Sequence, residues 1–194
     1  MRVRGISLTL SLIFAISVGL TGQTHRKEIK PMSTREIQVQ RVTLVSHNTF
    51  DTVVARIDAQ LGHPDMVAFR KKLAEARDEV EMNAVVAPVT QPNGIMEFMR
   101  FDLGDVLRKE NGTKTPRILR IVAGNPLIMK EMVKHVPDAG SYAPVTILID
   151  ERADGIHISY DTMVSHLAPY GNREALRVAK DLDIKVEAIM AAAL

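Results

Sequence analysis

The sequence predicts an α+β fold, a two-layer sandwich in which a mainly antiparallel sheet carries helices on one face. Three observations lead there. Short β-rich runs alternate irregularly with amphipathic segments, without the strict strand–helix repeat of a parallel sheet. The runs from Val145 to Ile149 and from Ile156 to Tyr160 are separated by a turn containing Asp154-Gly155, a hairpin signal. The glycine-rich phosphate fingerprint of a doubly wound nucleotide fold is absent.

The elements follow in order. Residues 23–35, polar and containing Pro31, read as a linker. The run from Ile37 to Ser46 predicts the first strand. Asn48 or Thr49 can cap a helix over 50–61, where Phe50, Val53, Val54, Ile57 and Leu61 recur at helical spacing. Gly62 is expected to end it. Pro64 and Asp65 open a second helix, whose seam of Met66, Phe69, Leu73, Ala76 and Val80 should pack on its own domain. The alternative use of that seam is a partner helix.

Pro88, Pro92, Asn93 and Gly94 mark a loop. Ile95 to Leu103 then predicts a strand with Ile95, Met99, Phe101 and Leu103 on one face, interrupted by Glu97. Asp102 or Asp105 can cap a short helical segment stopping at Asn111-Gly112. Ile118 to Ala123 is apolar enough for a central strand. Gly124-Asn125-Pro126 breaks it and starts a helix reaching Val136. After the hairpin, a helix over 172–191 carries Leu176, Ala179, Leu182, Val186, Ile189 and Met190 on one stripe. Val54, Ile57, Ile121, Ile147 and Leu182 are expected in one core.

The chain has 194 residues, 46% hydrophobic and 25% charged, which suits one folded domain over 36–194 with 63–94 inserted between the first helix and second strand. With no cysteine, disulfides, thiolate metal sites and a cysteine nucleophile are excluded. Arg2 and Arg4 precede an apolar run from Ile6 to Leu20, so residues 1–22 read as a secretory signal and the protein as periplasmic or secreted. Contact with a membrane is expected only through an uncleaved signal segment. If Met32 is the true start, the protein is cytoplasmic. Taking Arg2 and Arg4 from the 25 basic residues leaves 23 against 23 acidic ones. A neutral body without a basic stripe argues against nucleic acid as a partner.

The blocks from Arg117 to Pro126 (RILRIVAGNP), Pro137 to Pro144 (PDAGSYAP) and Val145 to Asp161 (VTILIDERADGIHISYD) resemble the domain of unknown function 302 family. The shared features are a strand ending in Gly124-Asn125-Pro126, a proline before a strand at Pro144, and a hairpin ending in Ser159-Tyr160. The segment 37–61 also fits. The resemblance implies a sheet with helices on one side, in the topology class of TATA-box-binding-protein-like folds, and homodimerisation. It brings no established catalytic residues. Insertion 63–94 departs from the family pattern and is positioned to cover or replace a pocket near the first helix.

No catalytic constellation is evident. Among histidines 25, 47, 63, 135, 157 and 166, no pair has the spacing of a zinc protease, so no metal site is expected. His157 should share a face with Ser159 and Asp161, opposite Ile156, Ile158 and Tyr160, on a strand surface open to water. Asn125 should serve as a helix cap, its alternative role being an anion site at that helix start. With aromatics at 4%, the methionines fill core gaps or line a soft apolar pocket for a lipid-like molecule or a haem with His or Met ligation. No resident cofactor is expected. The candidate ligand-contacting residues are Asn125, His157 and Tyr160. The expected function is non-catalytic binding of a small apolar ligand or a protein partner. The alternative is a hydrolase- or isomerase-like enzyme using His157 with neighbouring oxygens.

Overall fold

Strands β1 (Arg41–Ser46), β2 (Met96–Asp102), β3 (Ile118–Gly124), β4 (Val145–Arg152) and β5 (Gly155–Asp161) form one antiparallel sheet in the order β1-β5-β4-β3-β2. The computed structural model describes residues 32–112 and 115–194. The signal segment and most of the linker lie outside the described residues. Glu36–Leu194 forms one compact unit. Its helices are α1 (Phe50–Asp58), α2 (Met66–Glu75), α3 (Glu79–Val86), α4 (Leu103–Asn111), α5 (Pro126–Val133), α6 (Met163–Leu167) and α7 (Arg173–Ala191). Among the described residues, no helix is long and apolar enough to cross a membrane. The fold is α+β.

The core forms where the apolar face of the sheet meets the apolar stripes of α1, α5 and α7. Val53 and Ile57 from α1, Ile121, Ile147 and Ile158 from the sheet, and Ala179 and Val186 from α7 are fully buried in one cluster. Each large aliphatic side chain removed from water contributes about 1.5–3 kcal/mol. Of the expected core positions, Ile57, Ile121, Ile147 and Leu182 are buried. Val54 is half-buried, because the neighbouring Val53 points more directly at the sheet.

Local chemistry sets the helix starts. Thr49 accepts from the Thr52 N–H, Asp102 from that of Asp105, and Asn172 from that of Ala175. The first strand begins at Arg41, later than expected. Upstream, Gln40 bonds the chain leaving β5 instead: its carbonyl accepts from Thr162 N–H at 2.9 Å and its N–H reaches Ser165 Oγ at 3.0 Å.

The segment 63–94 differs most from its sequence pattern. The apolar seam from Met66 to Val80 is split into α2 and α3, and Val80 is 77% exposed. Asp78 causes the break. Its carboxylate caps α3 by accepting from Glu81 N–H, while Glu81 reaches back to Arg77 N–H at 2.9 Å, so both groups favour a new helix start over continuation. Phe69 of α2, Val86 of α3 and Met96 of β2 then make a second small core. A bulge between Glu97 and Met99 reorients β2, with Met96 buried in this second cluster and Met99 and Phe101 exposed at 46% and 40%.

Gly62 is not simply a helix terminator. Its N–H donates to the Ile95 carbonyl at 2.9 Å and its carbonyl accepts from Glu97 N–H at 2.9 Å, joining the turn after α1 to β2. A Cβ at this position would lie 1.9 Å from the Val89 carbonyl oxygen, so only glycine permits the approach. Gly155 is likewise required, at φ 139° and with its Cβ position 2.8 Å from the Ser46 carbonyl oxygen.

Candidate functional site

An apolar recess lies where the end of β3 passes into α5. It has a volume of about 260 Å³. Ile128, Met129 and Met132 of α5 form one wall, Phe98 of β2 another, and Leu182 of α7 the inner end. Leu73 of α2 contributes from the insertion, which therefore borders a pocket beside α5, not beside α1. Gly124 keeps the recess open. A Cβ there would stand 3.4 Å from both Phe98 Cε2 and Pro144 Cβ.

Asn125 borders this recess, but its polar atoms are already committed. Oδ1 accepts from Leu127 N–H at 2.8 Å, and Nδ2 donates to the Gly94 carbonyl at 2.9 Å. It therefore caps α5 and ties the loop before β2 to it. Each of its two polar atoms is engaged in a structural hydrogen bond.

His157 sits at the opposite end of the sheet, paired in register with Asp150 of β4 and Val45 of β1. The expectation that it faces open water is incorrect, since His157 is 8% exposed and Ser159 5%. The alternation of faces is as the sequence indicates, but β5 is an interior strand flanked on both sides. Only the β4 side was predictable from the hairpin. His157 Nε2 lies 2.9 Å from Asp154 Oδ1, and Nδ1 has no partner among the described residues. This contact holds the Asp154 carboxyl below the usual range. Ser159 is one pleat repeat, about 6.8 Å, further along the strand. Among the described residues its hydroxyl makes no bond with the imidazole, so the nucleophile–base contact of an activated serine is not formed.

Tyr160 points into the core. Its hydroxyl donates to Asp183 Oδ1 at 2.6 Å, and the same oxygen accepts from Met163 N–H at 2.7 Å. Asp183 Oδ2 accepts from Val164 N–H at 3.1 Å. Asp183, on α7 and 7% exposed, thus caps α6 from another element. Burial, with the Asp183 charge and hydrogen bond adding to it, raises the Tyr160 phenol strongly. Sequence reasoning missed Asp183, although an acid between Ala179, Leu182 and Val186 in an apolar stripe was the available signal. Asn125, His157 and Tyr160 do not converge on one site.

Asp58 and His63, five positions apart, and the more distant Glu97 place their ligand-type atoms within 4.8 Å of one another. Arg100 already occupies the electrostatic role of a cation there. Its Nη2 is 2.5 Å from both Asp58 Oδ1 and Glu97 Oε2, and these bonds raise its already high pKa. His63 Nε2 bonds the Asp58 carbonyl oxygen at 3.0 Å. The cluster fastens α1 to β2.

The family model described as Domain of unknown function DUF302 matches residues 81–193. A search of curated proteins finds no match. Among solved structures, the chain is similar to an uncharacterized conserved DUF302 protein from Bacillus stearothermophilus, with a TM-score of 0.56 at 9% identity. That superposition covers 79% of this chain and 98% of the other. At such low identity the likeness shows the fold. The family model spans more than half of the sequence and takes in all three blocks in which the resemblance was noted, so the chain belongs to the DUF302 family.

Proposed function

We propose that this domain is a non-catalytic binder of a small apolar molecule, held in the recess between α5, α2 and the β2–β3 end of the sheet, and that it works as an exported protein. The observation that supports the reading is the recess of about 260 Å³, whose one amide side chain has its polar atoms already bonded. The other lining side chains are apolar, which favours an apolar guest over water. An apolar cavity of about 150 Å³ can stay dry and take up benzene, so this space suits a molecule of one or two rings or a short alkyl chain. Met129 and Met132 supply adaptable walls, consistent with selection by size and apolarity. Export rests on Arg2 and Arg4 before the apolar run from Ile6 to Leu20.

The test is an NMR titration of the full-length protein with naphthalene and, separately, 1-octanol. Binding should shift methyl signals of Ile128, Met129 and Leu182, and Ile128→Trp, which fills the recess from a half-buried position, should weaken it at least about tenfold. Gly124→Ala, which narrows the entrance, should act in the same direction. Unaltered methyl signals with both probes, or equal affinity in both variants, would refute the reading.

A further inference from the structure

The outward face of the sheet carries a second recess of about 460 Å³, which shares Pro144 and Val145 with the apolar one. Arg120, Leu148 and Ser159 form its floor, as part of a row set by the strand register. Phe101, Arg120, Leu148, Ser159 and Thr43 stand side by side across β2, β3, β4, β5 and β1. All belong to the face opposite α7, because successive side chains alternate. In the adjoining row Thr146 pairs with Val122, and Arg41 with Asp161. Tyr142 and His166 also line the recess, their rings stacked with centroids 4.6 Å apart and planes 14° apart.

The charges here are unequal. Asp161 accepts from Arg41 Nε at 2.6 Å and Nη2 at 2.8 Å, so those two neutralise each other. Arg120 has no carboxylate partner among the described residues. Its guanidinium donates to Thr146 Oγ1 at 3.2 Å and lies 5.9 Å from the Phe101 ring centroid, contacts that orient it without balancing its charge. Burial depresses the His166 pKa, so that ring stays neutral at pH 7 and the excess positive charge is that of Arg120. Ser159 lines the same recess and adds a hydroxyl to it. It is 5% exposed, and its hydroxyl has no hydrogen-bond partner among the described residues.

We propose that this recess binds a small ligand through a carboxylate or phosphate group, which accepts from the Arg120 guanidinium and from the hydroxyls of Thr146 and Ser159. A guanidinium presents parallel N–H groups that match two oxygens of either anion. Hydroxyl protons rotate to suit, so Thr146 and Ser159 supply the remaining donors. Arg120 and Ser159 are two strands apart, about 9.6 Å, a span bridged by an extended arginine side chain and one anion. Leu148 between them and the stacked Tyr142 offer apolar surface for the rest of the ligand.

The experiment is an NMR titration of the full-length protein with benzoate and with phenyl phosphate, using naphthalene as an uncharged probe of the other recess. Saturable shifts are expected at the amides of Thr146 and Ser159 and at the Arg120 Nε–H. The tighter of the two anions identifies the group recognised. Arg120→Gln should weaken binding at least about tenfold while leaving naphthalene binding and Tm unchanged. Arg152→Gln, which alters an arginine outside the recess, should have no effect. Thr146→Val provides an independent loss should Arg120→Gln prove unstable. The proposal is overturned if Arg120→Gln or Thr146→Val binds as the parent does, if the shifts cluster elsewhere, or if neither anion saturates below about 10 mM. These outcomes are independent of the apolar-ligand reading, which naphthalene reports by itself.

Discussion

The Asp183 carboxylate accepts the Tyr160 hydroxyl at 2.6 Å beneath α7, joining the end of the hairpin to the last helix across 23 positions of sequence. The same carboxylate receives the Met163 and Val164 N–H groups, so one buried acid fixes β5, the start of α6 and the middle of α7. Thr162, the residue before α6, provides no side-chain cap. Asp183 takes over that role.

Removing the acid should therefore unfasten three elements. Asp183→Ala leaves three donors without their partner and should lower stability by about 2–5 kcal/mol. Tyr160→Phe deletes one bond to a charged acceptor and should cost about 1.5–3 kcal/mol. Urea unfolding of the two variants checks this. A loss below about 0.5 kcal/mol in Asp183→Ala would mean that water substitutes freely for the carboxylate.

Gly62 should tolerate no side chain. A Cβ at 1.9 Å from the Val89 carbonyl oxygen meets rigid backbone, so Gly62→Ala is expected to cost at least about 1–3 kcal/mol. Gly140→Ala is the matched control, because its Cβ would find only Val133 Cγ2 at an ordinary 3.8 Å. Thermal unfolding that ranked the two variants equally would contradict the geometry at Gly62.

His166 should make stability depend on pH. Burial lowers its pKa from 6.5, against the opposing pull of Asp161 and Asp183. Above 6.5 the ring is neutral in both states and contributes no slope. As pH falls below 6.5 the unfolded chain binds the proton first, so stability declines until the folded-state pKa is passed. His166→Gln removes this component. Urea midpoints at roughly pH 7.5 and 5.5 should fall less on acidification in the variant than in the parent. Parallel losses would assign the slope to other groups. The carboxyl of Asp161, held low mainly by its hydrogen bond to Arg41, loses its contribution only at lower pH.

The sequence by itself determined the elements whose signals are local. The hairpin turn before Gly155, the Asn125 cap, the apolar stripe of α7 and the class of fold can be read from neighbouring residues, because turn chemistry, capping and periodicity act over a few positions. The family blocks from Arg117 onward were legible for the same reason. Tertiary structure decided what depends on which element lies beside which. Pairing of β1 against β5 made β5 an interior strand and buried His157 and Ser159, which the hairpin alone left open to water. Packing of α7 over the sheet turned Asp183 from an acid in a helix pattern into a cap for α6. Both recesses arise the same way, one where α5 meets β2 and a side chain of the insertion, the other where Arg120, Thr146 and Ser159 from three strands share a face. Such sites join residues far apart in the chain, and their chemistry exists only once long-range packing has brought those side chains within reach.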